Sequence, residues 1–523
     1  MTKQSRGNIK KPSHQLTRQW LALTVALTSI CLALNAWSQA FSRNIAMTDR
    51  PVLLLAVVLV ASGFVFLLTV PLVLRSLAAG QTLQTTLPRM APPYRQDDDV
   101  ERPHSQECAL VQMQQKTILW IIVAGGLAMR LALFGSTPLL EDDSYRYLWD
   151  GGVTAHGYNP YAASPDDAQG EPYYYSLQPL AHQSGIVIER INHSELTTVY
   201  PPVAQAAFAL AHIISPWSLE AWRVVCLAAE AATLLLLLTL LDQTGRSRLW
   251  VALYWLSPLA AKEFINSAHM DSIVMPLVLG AALLSLKQRH LSAVATLGLA
   301  IGAKFWPLLL APIILRPLLA NPRRLAMAAL LLAAFCLAAT LPMLAYSSNE
   351  TSGLAAYATY WRNNSAHYGL IETAFAAVLK PFQFDERIPG LFTRVLLAGL
   401  AGAFALWTAL KPVENGMDIM RRLCLVTAAA VLLSPSQFPW YALWVLPLLV
   451  FAPWSGLLLM TALISIYYAG FHYLAREIFY IYREAIVFLI WLPVWALLAF
   501  EAWRINVSSQ PPLIESSSGT PHA

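Results

Sequence analysis

The sequence predicts an all-α polytopic integral membrane protein with about 12–14 transmembrane helices, because its apolar runs are numerous and long enough to span a bilayer. Composition agrees: of 523 residues, 57% are hydrophobic and 12% are charged, with a mean hydropathy of +0.50. Soluble domains carry about 25% charged residues, so an ordinary soluble protein is excluded. The net charge of +5 is small and scattered, which predicts no nucleic-acid partner.

The third observation is the distribution of basic residues, which concentrate in the cytoplasmic loops of membrane proteins. The N-terminal tail is basic and the first apolar run lacks a small-residue cleavage site, so we predict a cytoplasmic tail and a retained span. Spans near 20–38 and 51–74 form a hairpin that returns to a basic loop, 75–116. Residues 1–116 are therefore predicted to comprise the tail, hairpin and cytoplasmic loop, and a span at 117–135 leads to the outer face.

A large outer-face loop is predicted next. Residues 136–200 are polar and aromatic, and the stretch is too long for a passive connection. The segment YPPVAQAAFALAHIISPW follows, with about 14 apolar residues after its proline pair, which is short for a span. If it crossed, the basic turn at 246–248 and every later basic loop would lie outside. We therefore predict an interfacial helix that completes an outer-face loop over residues 136–219.

The same alternation predicts the remaining spans and leaves several polar segments outside. The predicted spans lie near 220–241, 248–261, 272–287, 290–303, 305–318, 325–346, 391–410, 421–434, 440–453, 454–470 and 484–502. The segments left on the outer face are 262–271, the turn at Lys304, 347–370 with 434–441, and 471–484. Residues 117–503 thus form one transmembrane core, followed by a polar cytoplasmic tail at 504–523.

Three acids stand at the end of the span that enters the outer loop, in EDDSYRYLWDG. A single carboxylate there is most often a solvated loop acid, but Arg146 follows Asp142 at helical spacing and would keep it ionised. An ionised Asp142 or Asp143 suits a general base. The neighbouring Tyr145 and Trp149 suit stacking on a sugar face.

Charged residues inside apolar runs need a partner or a polar cavity, because each costs about 2.5–3.5 kcal/mol on insertion scales. Lys304 in LAIGAKFWPLLLAPIIL either snorkels to the interface or meets an anionic lipid headgroup. The same question arises in KEFINSAHMD for Lys262, Glu263, His269 and Asp271. Two mixed ligands without a third do not predict a metal site, so we predict none.

Other outer-face residues are candidates for substrate contact or ordinary interfacial positions. Arg362 and Arg476 could join Lys262 and Lys304 in a cluster of cations. Tyr200 precedes two prolines that fix the chain where the loop returns to the membrane surface. No glycine-rich nucleotide motif or cysteine-rich site occurs, so no cofactor is predicted with certainty and the use of a divalent metal ion stays open.

Five segments resemble, in order, the polytopic GT-C glycosyltransferases of the family 87 and mannosyltransferase-like type. They are EDDSYRYLWDGGVTAHGYNPYAASP, TTVYPPVAQAAF, SPLAAKEFINSAHMDSIVMP, LGLAIGAKFWPLLLAPIIL and LLSPSQFPWYALWVLPLL. The resemblance covers about residues 117–500 and makes the preceding hairpin look like an addition. It implies a GT-C-like bundle whose outer loop carries the base among Glu141, Asp142 and Asp143, with Asp142 favoured.

The resemblance also implies the reaction. A hexose, expected to be mannose, would pass with inversion from a polyprenyl-phosphate carrier to a lipid-linked or glycan acceptor on the non-cytoplasmic face. Lys304 matches a position near the donor phosphate, and the substrate-binding set would include Arg146, Tyr145, Trp149, Tyr200, His269, Asp271, Trp440 and Tyr441. The expected location is a bacterial inner membrane, with membrane lipids around the bundle.

Two kinds of alternative stay open. Within enzymes, the chain could transfer another lipid-linked sugar, or act as a glycan polymerase or ligase. A lipid or sugar transporter or flippase would also have many spans and isolated intramembrane charges. It should show internal repeats and charges near the middle of the bilayer, whereas here no repeat is evident and the charges cluster toward one face.

Overall fold

A computed structural model describes residues 14–85, 101–170, 175–346, 351–383, 385 and 387–508. The described chain is helical, without strands; its one extended pairing is an isolated bridge between Asn363 and Ser436. The α-helices are α1 His14–Trp37, α2 Val52–Leu67, α3 Thr69–Thr85, α4 Glu101–Phe134, α5 Asp143–Ala155, α6 Pro165–Gly170, α7 Gln178–Ser184, α8 Ile186–Glu189, α9 Pro202–Ile214, α10 Leu219–Gln243, α11 Ala252–Trp255, α12 Pro258–Ala261, α13 Val274–Leu286, α14 His290–Ala303, α15 Ala311–Leu315, α16 Pro322–Leu344, α17 Gly353–Tyr360, α18 Ala366–Leu379, α19 Ile388–Leu410, α20 Gly416–Leu432, α21 Ala442–Leu449, α22 Ser455–Leu463, α23 Ala469–Leu474, α24 Phe479–Ile481 and α25 Phe488–Ser508.

Shorter helical segments connect these helices or extend them. The 3₁₀ segments are Ser38–Phe41, Arg248–Val251, Met270–Ile273, Trp306–Leu310, Arg316–Leu318, Lys380–Phe382, Pro439–Tyr441 and Ile464–Tyr468, and the π-helical segments are Lys262–Asn266 and Tyr482–Ile486. Such tighter or wider turns within helices often mark strained or functional positions. Several of them border the cavity described below.

Eight helices in the described chain are long and apolar enough to cross a membrane, which confirms an all-α polytopic membrane protein. They are His14–Phe41, Val52–Ala78, Leu110–Phe134, Leu219–Gln243, Pro322–Leu344, Ile388–Leu410, Ser455–Leu474 and Phe479–Ile505. The predicted loop at 75–116 is shorter than expected, since α3 continues to Thr85 and α4 begins at Glu101. Residues 86–100 and the end of the predicted tail, 509–523, lie outside the described residues.

The other predicted spans correspond to shorter or broken helices. The pair Pro258–Asn266 and Met270–Leu286 bends by 107°, so the separate spans predicted near 248–261 and 272–287 form at most one broken span. Shorter apolar helices occupy Pro202–Ile214, His290–Ala303, Trp306–Leu318 and Pro439–Leu449. A bilayer core is about 30 Å thick and needs about 20 helical residues, so the predicted 12–14 spans exceed the eight or nine that the described helices can supply.

Several basic loops of the bundle meet at one of its ends. At one end, Arg316 and Arg422 both donate to the Lys411 carbonyl, and Gly416 lies against Leu286 and Thr244. The basic loops of four neighbouring helices therefore meet there. At the opposite end lie residues 135–170 and 175–201 and the turn 42–51, and we call this the loop end.

Helix α5 is held against α9 by close backbone contact. A Cβ on Gly151 would lie 2.4 Å from the Phe208 carbonyl oxygen, and one on Gly152 would meet Trp217. Tyr147 stacks on Phe208 with ring centroids 4.8 Å apart. Glycine is required here because a side chain would separate the helices, and this packing fixes the acids at the start of α5.

Candidate active site

A cavity of about 1290 Å³ lies at the loop end of the bundle. Its walls come from the turn after α1, the start of α5, the loop before α9, the ends of α14 and α19, and the segment before α21. It is lined both by charged groups and by apolar side chains, so it can receive a ligand with a polar head and an apolar tail.

Glu141, Asp142 and Asp143 line this cavity together, and we call them the acid cluster. Asp142 Oδ2 accepts a hydrogen bond from Arg43 Nη2 at 2.7 Å, and its Oδ1 accepts one from Asn192 Nδ2 at 2.6 Å. Asp143 Oδ1 lies 3.4 Å from the same amide. The two aspartates are thus held side by side by groups from two distant loops.

The predicted pairing of Arg146 with Asp142 is wrong. Arg146 Nε donates to Asp150 Oδ1 at 3.0 Å, and its Nη2 donates to the Leu196 carbonyl. Asp142 precedes the first residue of α5, so it does not lie on the helical row that Arg146 occupies, whereas Asp150 does. Arg146 still lines the cavity, but its role there is to fix the loop before α9.

The acid cluster carries unfavourable charge that its surroundings only partly balance. Burial and the neighbouring charge of Asp143 raise the pKa of the Asp142 carboxyl above its usual range, while Arg43 and Asn192 oppose the shift. Burial also raises the pKa of Glu141 well above its usual range, and Glu141 Oε1 has no hydrogen-bond partner among the described residues. A carboxylate with a raised pKa is a stronger proton acceptor when ionised.

Lys304 lines the cavity but does not offer a free positive charge. Its Nζ lies 2.6 Å from Asp271 Oδ1, which also accepts from Trp444 Nε1 at 2.5 Å. The Lys304 side chain is 20% exposed and Asp271 is 1% exposed. The pair meets the cost of placing a lysine in an apolar run, and it leaves this corner of the cavity close to neutral.

Aromatic rings form much of the remaining wall. Tyr441 stacks on Trp444 with ring centroids 4.1 Å apart. Trp306 also stacks on Trp444, with ring centroids 5.0 Å apart. Tyr145 lines the cavity and accepts a hydrogen bond from Arg190 Nη1 at 2.8 Å. Four other residues that were predicted for this site line the cavity, namely Tyr200, Asp271, Trp440 and Tyr441. Flat aromatic faces beside polar groups suit a sugar ring.

Five predicted site residues do not line the cavity. Trp149 is 2% exposed and stacks on Trp217, so it packs α5 rather than meeting a ligand. Lys262 and His269 are fully buried beneath the cavity. Arg362 pairs with Glu372, and Arg476 bonds to His472 and to the Thr48 carbonyl at the surface. The predicted cluster of Lys262, Lys304, Arg362 and Arg476 is therefore not assembled, because tertiary packing turns three of the four away.

Sequence reasoning missed Arg43, Arg190 and Arg394, which line the cavity. For Arg190 and Arg394, no ion pair with a carboxylate is found in the described part of the chain. Two signals were present in the sequence. Arg43 lies in a loop placed outside, against the usual charge bias, and Arg394 is a lone charge within an apolar run.

Arg394 stands at the end of an apolar row on α19. Leu397, Ala398 and Ala401 follow it at helical spacing, and all three line the cavity. Leu309, Ala430 and Leu433 line it from the neighbouring elements. A cation above an apolar row matches an amphiphilic anion whose tail lies along the helix.

The described residues contain no group of three His, Cys, Asp or Glu side chains spaced as metal ligands. The acid cluster is instead contacted by Arg43, Asn192 and Tyr147.

Comparison with known proteins gives one match. Residues 19–320 match the family model described as "Alpha-(1->6)-mannopyranosyltransferase, N-terminal domain". The matched range covers more than half of the chain, from the first span through the acid cluster to Lys304, and it leaves Arg394 outside. No curated protein and no solved structure matches.

Proposed function

Because the chain belongs to the alpha-(1->6)-mannopyranosyltransferase family, we propose that it transfers mannose from a polyprenyl-phosphate carrier to a lipid-linked or glycan acceptor. The family makes it a glycosyltransferase that acts in mannosyl transfer, and its apolar helices make it a multi-pass membrane protein. The proposal adds the lipid carrier, the class of acceptor, the inverting mechanism and the location. It retains the GT-C-like architecture of the family 87 type.

The main support for the proposal is that two different surfaces line the same cavity. The acid cluster supplies a proton acceptor, and the Arg394 row on α19 supplies a cation with an apolar track. A polyprenyl phosphate has the matching chemistry, an anionic head on a long apolar chain. A nucleotide sugar would have no use for the apolar row.

In the proposed reaction, a hydroxyl oxygen of the acceptor attacks the anomeric carbon of mannose. The bond from that carbon to the phosphate oxygen breaks, and the polyprenyl phosphate leaves with the electron pair. Asp142 takes the proton of the hydroxyl, and Arg394 and Arg190 stabilise the charge that develops on the phosphate. A single displacement of this kind inverts the anomeric configuration.

The proposal gives Lys304 and Asp271 a place beside the sugar. Lys304 retains donors that Asp271 does not use, and sugar hydroxyls accept hydrogen bonds from ammonium groups. Tyr441 and Trp444 would contact the ring face. The sequence suggested that Lys304 contacts the donor phosphate. We assign that contact to Arg394 instead, because the charge of Lys304 is balanced by Asp271.

We place the cavity on the outer, periplasmic face of a bacterial inner membrane. Support comes from the gathering of basic loops at the opposite end of the bundle. α9 has 13 residues, too few to cross, and fits an interfacial helix.

The experiment is transfer of radiolabelled mannose from polyprenyl-phosphate mannose to a lipid and glycan extract by purified protein. Asp142→Asn should lower turnover by about 10²–10⁴-fold, because the proton acceptor is lost. Asp166→Asn, an exposed acid of the same loop, should transfer like the wild type. GDP-mannose as an alternative donor tests the carrier, and polyprenyl-phosphate glucose tests the sugar. Absence of transfer by folded wild type from every carrier, or near-normal turnover in both Asp142→Asn and Asp143→Asn, contradicts the proposal.

A further inference from the structure

A row of four ionisable side chains leads from the cavity into the core of the bundle. Asp143 Oδ2 lies 3.7 Å from His269 Nδ1, and His269 Nε2 lies 3.4 Å from Glu263 Oε2. Glu263 in turn lies 3.3 Å from Lys262 Nζ. Side-chain exposure is 25% for Asp143 but at most 1% for the other three members, so the row runs from ligand-accessible to fully buried.

His269 is fixed between the two carboxylates. Its ring stacks on Trp440 with centroids 3.7 Å apart, and each ring nitrogen faces one carboxylate. Neither nitrogen is within hydrogen-bonding distance and angle of a partner in the described chain. A neutral imidazole has a single N–H and can donate to one carboxylate, whereas an imidazolium can donate to both.

With an imidazolium at His269, the signs of the charges alternate along the row. Asp143 and Glu263 are acids, and an imidazolium at His269 and the ammonium of Lys262 are cations. Isolated buried charges are costly, but a neutral row of alternating signs reduces that cost. Tyr468 also donates to Glu263 Oε1 at 2.8 Å and contacts Lys262. Such an expensive arrangement beneath the acid cluster calls for a role in the chemistry above it.

We propose that His269, held by Glu263 and Lys262, is a positioning residue that keeps Asp143 negatively charged, and that the charge of Asp143 makes its neighbour Asp142 the stronger base. This inference rests on the proposed function, since it assigns Asp142 the proton of the acceptor. The active form of the protein then has both aspartates ionised. His269 touches no ligand and acts through Asp143.

Other charged or titratable groups also face the two aspartates. They are Arg43 from the turn after α1, Glu141 from the chain before α5, Tyr147 on α5, Tyr200 before α9, Tyr467 near α23, and Lys262 and Glu263 below. His269 faces Asp143, whereas Arg43 is bonded to Asp142. Removing His269 therefore tests Asp143 rather than the whole cluster.

The test is the pH profile of mannosyl transfer by His269→Gln. Without the imidazolium, the aspartate pair holds a proton to higher pH. The acid limb, which is the fall in transfer rate as the pH decreases, should therefore lie about one pH unit higher. The rate on the alkaline plateau should stay within a few-fold of the wild type, because both aspartates are ionised there in either protein. Loss of a merely structural residue would lower the plateau and leave the limb in place, and that result would overturn the inference.

Two further variants keep the test decisive. His367→Gln removes a histidine that does not line the cavity and should leave the acid limb unmoved. Glu263→Gln removes the carboxylate that holds the imidazolium and should move the limb in the same direction as His269→Gln. If His269→Gln does not fold, as judged by gel filtration, Glu263→Gln carries the measurement, and an unmoved limb there contradicts the inference.

A readout without activity separates this inference from the proposed function. ¹⁵N-histidine NMR of the wild type at pH 7.5 should show one imidazolium that is missing from His269→Gln. A neutral imidazole at that position overturns the inference, whether or not the protein transfers mannose. Absence of transfer by the wild type instead refutes the proposed function, and the NMR signal still decides the charge of His269.

Discussion

At the scale of single residues, Arg43 determines how the acid cluster is presented. It reaches from the turn after α1 to Asp142 and also donates to the Arg190 carbonyl at 2.9 Å. The side chains of Arg43 and Asp142 are 40% and 34% exposed, so solvent screens their attraction and the bond adds little to stability. Its effect is on the charge and the orientation of the carboxylate.

The first prediction concerns pH. Arg43 opposes the rise in the pKa of Asp142, so Arg43→Gln should raise that pKa further. Because the base acts when ionised, activity should then be lost at a higher pH as the pH falls. The measurement is the acid limb of the transfer rate. Arg476 contacts the same turn from outside the cavity, so Arg476→Gln should leave the limb unchanged. An equal shift in both variants would show that Arg43 does not act on Asp142.

A second prediction separates Arg362, which the sequence placed in the cation cluster, from Arg394, which it missed. Arg394→Gln should raise the KM for polyprenyl-phosphate mannose by at least tenfold, because a charge-assisted bond to phosphate is lost. Arg362→Gln should leave the KM unchanged, since Arg362 pairs with Glu372 outside the cavity. Donor titration at fixed acceptor concentration measures both. A larger effect at Arg362 would show that the donor binds elsewhere.

At the scale of helices, the contact between α5 and α9 sets the position of the proposed base. Gly151 lies under the Phe208 carbonyl, and the acid cluster stands about two turns before it, at the N-terminal end of the same helix. Displacing α5 would therefore move Asp142 and Asp143 relative to the α19 side of the cavity. A catalytic group moved by about 1 Å can lose about 10²-fold in rate.

We expect Gly151→Ala to lower both stability and turnover. The added methyl group would lie 2.4 Å from a backbone oxygen that cannot rotate away. Overpacking of this kind costs about 1–3 kcal/mol. Thermal unfolding in detergent and the transfer assay provide the measurements. Gly402→Ala on α19, where a methyl group meets no atom within 4 Å, is the control and should unfold at the wild-type temperature or above.

At the scale of the whole molecule, the fold brings the acid cluster and the apolar row headed by Arg394 into one cavity. The acid cluster belongs to the first half of the chain, and the Arg394 row belongs to the second. The helices between them are partly short or broken, and such irregular backbone at membrane depth is tolerated where it is buried in protein or lines a cavity. The cavity is thus a product of the complete bundle.

Topology is the prediction at this scale. A cysteine at the exposed Gln183 should react with a membrane-impermeant maleimide in intact cells, and one at the exposed Lys287 should react after the cells are opened. Both are introduced with Cys108 and Cys336 replaced by serine. Cys31, Cys226 and Cys424 are buried, so they should not react. Labelling of Lys287→Cys in intact cells would contradict the proposed orientation.

The sequence by itself determined the class of the protein and part of its site. Apolar runs located the eight long helices with ends within seven residues of those observed, since a span must satisfy its backbone internally and be long enough for the bilayer. The acid cluster and Lys304 were found because charges beside apolar runs are costly. Four residues that the sequence placed in the substrate-binding set line the cavity, namely Tyr200, Asp271, Trp440 and Tyr441.

Only the tertiary structure decided which charges meet. Arg146 binds Asp150 instead of Asp142, and Lys304 binds Asp271, because partners are chosen by packing across distant elements. Arg43 and Arg394 reach the cavity from positions 99 residues before Asp142 and far beyond it, so no local pattern predicts their contact. Hydropathy depends on a residue and its neighbours in sequence, whereas the charge of a site depends on neighbours in space.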